Sequence, residues 1–541
     1  MKKYISMLFL LCLVAGQVTA QFSQAPLQRS DANVIGHVLD KHTGEHLPYI
    51  TIALRGTTIG TVTDATGHYF LKNLPEGEFV MEVSSIGYKT VQRPVTLKKG
   101  ITLEEDFEIE EDAITLDGVV VSANRNETTR RMAPTLVNVV DMKLFESTNS
   151  ATLSQGLNFQ PGVRVETNCQ NCGFQQVRIN GLDGPYTQIL IDSRPIFSAL
   201  AGVYGLEQIP ASMIERVEVM RGGGSALFGS SAIAGTINII TKEPLRNSGQ
   251  LAHTLTSIGT KGVFDNNTSL NASLVTDDHK AGLYIFGQNR HRSAYDADGD
   301  GFSELPKLKN QTVGMRSYFK TSTYSKLTFE YHHMQEFRRG GDKLNLPPHE
   351  ADIAEQLEHS IDGGGLKFDY FSPNEKHRLS VFTSAQYTDR DSYYGPGEDP
   401  LNAYGKTTDL TFLAGTQYIR SFGRAFFMPA DLTVGIEYSR DNLEDNMWGY
   451  ERYLHQIINI GSAFVQNEWK NERWGILVGG RFDKHNLMDH LIFSPRANLR
   501  FNPTPDVNLR MSYASGFRAP QAFDEDLHVE NVGGGCSYDR T

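Results

Sequence analysis

After residue 20 the sequence has no apolar run approaching the ~20 residues that a membrane-crossing helix needs, which excludes a helical inner-membrane protein. Positive charge is also in short supply. With 51 Lys and Arg against 63 Asp and Glu, the net charge is −12. That balance argues against nucleic acid as a partner, because its binders gain affinity from cationic contacts to phosphate. Cysteine is scarce, at 4 in 541 residues. Cys169 and Cys172 form one C-x-x-C with no second pair to complete a zinc site, so a local disulfide is expected, with a metal or redox role as the weaker alternative. Closing so short a loop contributes only ~2 kcal/mol by chain entropy. Catalytic signatures are missing too. There is no Gly-x-Ser-x-Gly, no His-Glu-x-x-His and no carboxylate pair of defensible geometry, so the chain does not read as an enzyme.

What is present points to export and to β structure. Lys2 and Lys3 precede an apolar stretch from Ile5 to Ala15, and Val18-Thr19-Ala20 offers small residues for cleavage. Residues 1–20 therefore read as a signal peptide. An exported chain with 22 Tyr, 29 Phe and 50 Gly is either secreted or a transmembrane β-barrel, whose alternating strands average to polar.

Residues 33–110 read as a small β-sandwich, with alternating runs at Val34/Gly36/Val38, Ile50/Ile52/Leu54 and Phe79/Met81/Val83 between Gly, Pro and Asp turns. The stretches Thr43-Gly44-Glu45-His46-Leu47-Pro48, Gly60-Thr61-Val62-Thr63-Asp64 and Ser85-Ile86-Gly87-Tyr88 resemble the carboxypeptidase-regulatory-like domain. The resemblance implies a non-catalytic transthyretin-like fold. His42 and His46 stand four apart, but Gly44 between them argues for a solvated turn over a helical zinc pair.

Residues 111–128 form a linker. Within it, the β-branched run ending in Leu116, Asp117, Gly118, Val119, Val120 and Val121 reads as an extended segment suited to adding to a partner's sheet edge. It resembles a TonB box, with Gly118 where that family usually has an acidic residue. Residues 129–244 then carry the most specific pattern in the chain: Val177-Arg178-Ile179-Asn180-Gly181, Ile189-Leu190-Ile191-Asp192, Ile214-Glu215-Arg216-Val217-Glu218-Val219, and Arg221 followed by Gly222, Gly223 and Gly224. This order resembles the plug domain of TonB-dependent receptors. Three glycines allow a tight turn with positive φ. A phosphate-cradling loop is the rival reading, but no Gly-Lys-Ser/Thr follows. The charged Glu215, Arg216, Glu218 and Arg221 suit either a plug facing a polar lumen or salt bridges within the plug.

From 245 to 541 roughly thirteen strand candidates follow, most near the ~9–11 residues of a tilted membrane strand. Short connections near 276–280, 321–325, 372–376, 470–473 and 502–506 take turns with long polar ones at 291–310, 338–361, 389–407 and 441–458, as in a barrel with tight periplasmic turns and long outer loops. The first long loop contains Asp296, Asp298 and Asp300, spaced like the start of a calcium loop. Lys307 stands where its closing Glu would be, so a looser structural calcium site competes with a solvated acidic turn. A barrel housing a plug has about 22 strands. Thirteen or so leave an unpaired edge, so the sequence is expected to lack ~150–200 further residues of barrel.

The expected fold is mainly β: an antiparallel transmembrane barrel, incomplete at about thirteen of ~22 strands, with an α+β plug and an N-terminal transthyretin-like sandwich. The resemblance implies an outer-membrane receptor that imports a scarce ligand. An iron–siderophore or haem comes first, with cobalamin, a passive porin or a surface adhesin as alternatives. Its expected partners are the TonB energy transducer, a small metal chelate or cofactor ligand, and outer-membrane lipid. No cofactor is required, and a structural calcium at Asp296, Asp298 and Asp300 is the one candidate ion.

Overall fold

The computed structural model describes residues 30–518 except 65, 86, 112–118, 127, 168–172, 174, 196–208, 230–231, 261, 397–402, 449–451 and 505–506. The expected signal peptide, the pair Cys169 and Cys172, and the residues Leu116, Asp117 and Gly118 lie outside the described residues.

The strand Ala32–Asp40 alternates buried and half-buried residues along its whole length, which is what an alternating sequence does when one face meets a core. It pairs with His68–Leu74 on one side and with Thr102–Glu104 and Phe107–Ile109 on the other. A second sheet runs in the order Gly60–Val62, Thr51–Leu54, Gly77–Ser84, Val91–Leu97. Val34, Val38, Ile52, Leu71, Met81 and Phe107 fill the space between them. The sandwich read from periodicity is present.

The plug has its own core. Its central sheet runs Val137–Asp141, Ile214–Arg221, Gly235–Thr241, Thr187–Ile191, with only the last pair parallel. Alternate apolar residues Val217, Val219, Ile237 and Ile239 face Phe145 and Leu153 from the short helices Met142–Ser147 and Leu153–Leu157. A separate hairpin joins Val163–Thr167 to Gln175–Ile179.

Around the plug curves a 13-stranded antiparallel sheet, each strand paired with its sequence neighbour, from Ser248–Ile258 to Val507–Ala514. Its two faces are inverted relative to a soluble protein. In Trp474–His485, Val478 and Phe482 are exposed while Arg481, Asp483 and His485 are buried. The same holds for Leu509, Met511 and Tyr513 outward on the last strand, and for Arg496, Asn498 and Arg500 inward on its neighbour. Apolar residues outside and polar residues inside are what lipid on one face and a hydrated, plug-filled lumen on the other demand.

Strand length departs from expectation. Tyr404–Ala425 has 22 residues and Met428–Met447 has 20. Much of the stretches read as long loops is strand, so the connections shrink to 293–306, 342–352, 397–403 and 448–451. Beyond the hydrocarbon both faces of a hairpin meet water. The alternation that marks a strand in sequence is lost there while the backbone ladder continues. At the short-turn end the sandwich touches the sheet. Thr58 donates to the Thr323 carbonyl from its amide at 2.9 Å and from its hydroxyl at 3.1 Å.

Candidate functional site

The segment that follows the extended run is wedged between plug and wall. Val119–Val120 pairs antiparallel with Thr128–Thr129, and Val120 is buried against Leu190, Met220 and Phe228 of the plug. The end of the run is thus covered by its own chain, a departure from the expectation that it waits for a partner's sheet edge. Immediately after it lies a carboxylate clasp. Glu218 Oε2 accepts from Val121 N at 3.0 Å, Ser122 N at 2.9 Å and Ser122 Oγ at 2.7 Å. Its other oxygen accepts from Arg216 Nε at 3.0 Å. Glu218 is wholly buried on a central strand, so every bond it makes replaces water that it has lost. Asn238, on the neighbouring strand, donates to Ser122 Oγ at 3.0 Å.

Next along the chain, Arg125 adopts φ 58 and turns into the wall. Its guanidinium lies 4.9 Å from the ring centres of both Phe228 of the plug and Phe464 of the sheet, and it pairs with Glu437. Glu437 also accepts from Arg481 at 2.7 Å, and Arg481 from its other side reaches Asp483 at 2.8 Å. Backbone groups are held as well. Gln466 donates to Asn124 O at 2.8 Å, Gln417 to Arg125 O at 3.0 Å and Arg496 to Ala123 O at 2.6 Å.

A second charged cluster ties the far end of the plug sheet. Asp192, at φ 48, accepts from Thr241 N at 3.1 Å and from its hydroxyl at 2.8 Å, and pairs with Arg316 of the wall. Arg194 pairs with Glu330, and Lys326 reaches Glu243 at 3.0 Å. Burial would raise the Asp192 carboxyl, but Arg316 and Arg194 beside it hold it below the ordinary range. Lys326 and, against the cost of burial, Arg316 hold Glu243 down to about 2.

The other charged plug-motif residues bond within the plug. Arg178 pairs with Glu166 and Asp183, and Asn180 and Gly181 form a turn at φ 53 and 84. Glu215 meets Arg216 at 2.9 Å, and Arg221 donates to Pro161 O. Of the two readings left open for these charges, intramolecular pairing is the one found. Among the three glycines only Gly222 has positive φ, at 82. Gly223 serves close approach instead, since a Cβ there would stand 2.9 Å from Ala514 Cβ on the last strand. Gly224 N-caps the short helix Ser225–Phe228.

In the outer loop, carboxylate oxygens of Asp296 and Asp298 gather with Glu304 within 4.8 Å of one another, and Asp300 is not part of the group. Asp300 instead accepts from Phe302 N at 2.8 Å. Glu304 was not foreseen, because the 3.0-Å return of Tyr295 to Leu305 that folds it back is a tertiary event. Arg125, Arg194, Glu243 and the wall residues were likewise missed. The available signal was charge in mid-strand on the lumen-facing parity, as at Arg481.

Three family models match the chain: the CarboxypepD_reg-like domain over 34–121, the TonB-dependent Receptor Plug Domain over 129–236, and the TonB dependent receptor-like beta-barrel over 245–535. A vitamin B12 transporter of Vibrio vulnificus strain CMCP6 is 35% identical over 76% of this chain and 64% of its own length. A probable TonB-dependent siderophore receptor of Acinetobacter baumannii is 23% identical over 80% of this chain and 64% of its own. In fold, the crystal structure of that organism's siderophore receptor PirA aligns with TM-score 0.62 at 20% identity, covering 72% of this chain and 62% of that one. The ferric enterobactin receptor of Pseudomonas aeruginosa aligns with TM-score 0.63 at 18% identity over 72% and 63%. The chain thus spans under two thirds of the length of these relatives.

Proposed function

The chain belongs to the TonB-dependent receptor family, and from that premise we propose that it serves energy-driven import of a scarce small ligand across the outer membrane, and not catalysis. The ligand is an iron–siderophore or haem, and the alternative is cobalamin. The siderophore reading is supported by the likeness to siderophore receptors, and the cobalamin reading by the more identical vitamin B12 transporter.

One observation carries the mechanism: the residues just after the TonB-box-like segment are bonded on one side to the plug, through Glu218, and on the other to the wall, through Arg125. A passive pore has no need for such a link. When the transducer binds this segment and pulls, tension meets the short ladder of Val119–Val120 with Thr128–Thr129 and then the bonds at Val121 and Ser122. Losing them leaves Glu218 buried and short of donors, which favours further loosening of the central sheet. Work supplied from the inner membrane thereby opens a route that ligand binding alone leaves shut.

Deletion of 115–121 in a strain relying on this receptor tests the reading. Uptake should fall to background while surface binding of the ligand persists. Uptake that survives the deletion would overturn it in favour of a passive pore. Growth on limiting siderophore-iron, haem or cobalamin then separates the ligands.

A further inference from the structure

Three imidazoles from separate parts of the sandwich meet on its surface. His37 lies in Ala32–Asp40, His68 stands directly opposite it on His68–Leu74, and His46 comes from the turn that bridges back to Leu39. Their ring centres are 5.0 Å apart for His37 and His46, 5.0 Å for His46 and His68, and 5.5 Å for His37 and His68. A tetrahedral ion at ~2.0–2.1 Å from three imidazole nitrogens sets ring centres about 5 Å apart. The ring centres stand at that spacing, while the nitrogens have yet to converge: among the described residues only Asp296, Asp298 and Glu304 hold ligand atoms within 4.8 Å of one another.

The far sides of two rings are also arranged. Asp106 Oδ1 stands 3.0 Å from His37 Nδ1 and accepts the His37 backbone N–H at 3.0 Å, which fixes the carboxylate under the ring. His68 Nδ1 lies 3.1 Å from the Thr66 carbonyl. The Thr66 hydroxyl also lies 3.0 Å from this Nδ1 and gives its own proton to Asp64 Oδ1 at 2.6 Å, so both Thr66 oxygens face Nδ1 as acceptors and ligation falls to Nε2. A carboxylate or carbonyl behind Nδ1 is the outer contact that metal-ligating histidines make. Ring stacking accounts for their approach but does not call for these acceptors. His46 and His68 are exposed and His37 half-buried, so an ion reaches the rings from solvent.

We propose that His37, His46 and His68 bind one first-row divalent ion that favours imidazole, zinc or copper(II), through Nε2, with Asp106 orienting His37 and water in the remaining position. The rings now lie stacked or tilted, and binding turns them about χ2 until the three nitrogens converge. His42, on the same turn, points away toward Glu110 at 4.0 Å and takes no part. The ion would join a strand, a turn and a second strand in one bond set, stapling the edge of the domain that faces away from its core.

The test uses the full chain in detergent, stripped with chelator and equilibrated with zinc chloride alone, metal content being read by atomic emission. One ion per chain is expected. His46→Gln or His68→Gln should each weaken binding at least ten-fold and Asp106→Asn by ~10–100-fold, while His42→Gln leaves it unchanged. Copper(II) bound in place of zinc should display nitrogen hyperfine structure in its electron paramagnetic resonance spectrum, lost in the triple His→Gln variant. Unchanged metal content in that triple variant would place the ion elsewhere, for instance at the Asp296 loop, and overturn the proposal. Equal loss in His42→Gln would overturn it too. Far-ultraviolet circular dichroism without metal checks that each variant is folded.

Discussion

Arg125 and Glu437 meet across the boundary between plug and wall with only 4% of each side chain exposed. The same carboxylate also holds Arg481, so one anion serves two buried cations. The asymmetry orders the cost of removal. Glu437→Ala strands Arg125 and leaves Arg481 with Asp483 alone, and should destabilise plug seating by about 3–5 kcal/mol. Arg125→Ala leaves Glu437 with Arg481 and should cost less, about 1–3 kcal/mol. Thermal melting of the two variants in one detergent checks the order. Equal or reversed losses would contradict it.

At the clasp, Glu218→Gln keeps one acceptor oxygen and loses the charge that binds Val121, Ser122 and Arg216 together. Amide exchange at Val121 and Ser122 should speed up by about ten-fold or more, for a loss of ~1–3 kcal/mol. Amides of Val34 and Val83, in the sandwich core, should not change.

Acid should loosen the plug late. Glu243 is held at about 2 against an ordinary 4.5, and Asp192 is lowered in the same cluster. Because these carboxyls are depressed in the folded protein, their contribution is complete above the unfolded value and is lost as pH falls through the folded one. For Glu243 that window runs from 4.5 down to about 2, and its share at neutral pH is on the order of 3 kcal/mol. Protease protection of the plug should therefore be flat from pH 7 to 5 and decline below 4.5. In Glu243→Gln the decline should be shallower, from a lower starting stability.

Gly223→Leu should spoil the fit of plug to wall, because its Cβ alone would stand 2.9 Å from Ala514 Cβ. Overpacking of this kind costs about 1–3 kcal/mol. Ala514→Gly in the same chain should recover part of it, as a melting series would reveal.

Ile436 and Glu437 are adjacent and face opposite ways, 60% and 7% exposed. Ile436→Arg should cost about 2–4 kcal/mol in a bilayer and close to nothing in a soluble-sheet reading. Unfolding titrations in lipid vesicles measure the difference.

Periodicity made the sandwich and the alternating strands readable, because a single buried face forces apolar residues to every second position, as in Ala32–Asp40. Plug motifs were readable as a string of residue types, but not what they bond. Glu215, Arg216 and Arg221 turned out to pair within the plug, while the charged contacts to the wall come from one motif residue, Asp192, and from Arg125 in the linker, Arg194 and Glu243. Those partners lie as far as 312 residues apart, and no local pattern encodes which strand curves round to meet them. His46 is a similar case. Its turn was legible, but its approach to His37 and His68 depends on strand register.

Residues 121–126 form their bonds one after another along the chain: Val121 and Ser122 to Glu218, Asn124 to Glu468, Arg125 to Glu437, Asn126 to Arg378. A load applied upstream of Val119 reaches them in that order, so the attachment peels instead of shearing. The peak force is then set by its strongest single step, while the total work is the sum of all of them. A weak but processive puller is enough to free what no single thermal fluctuation would release at once.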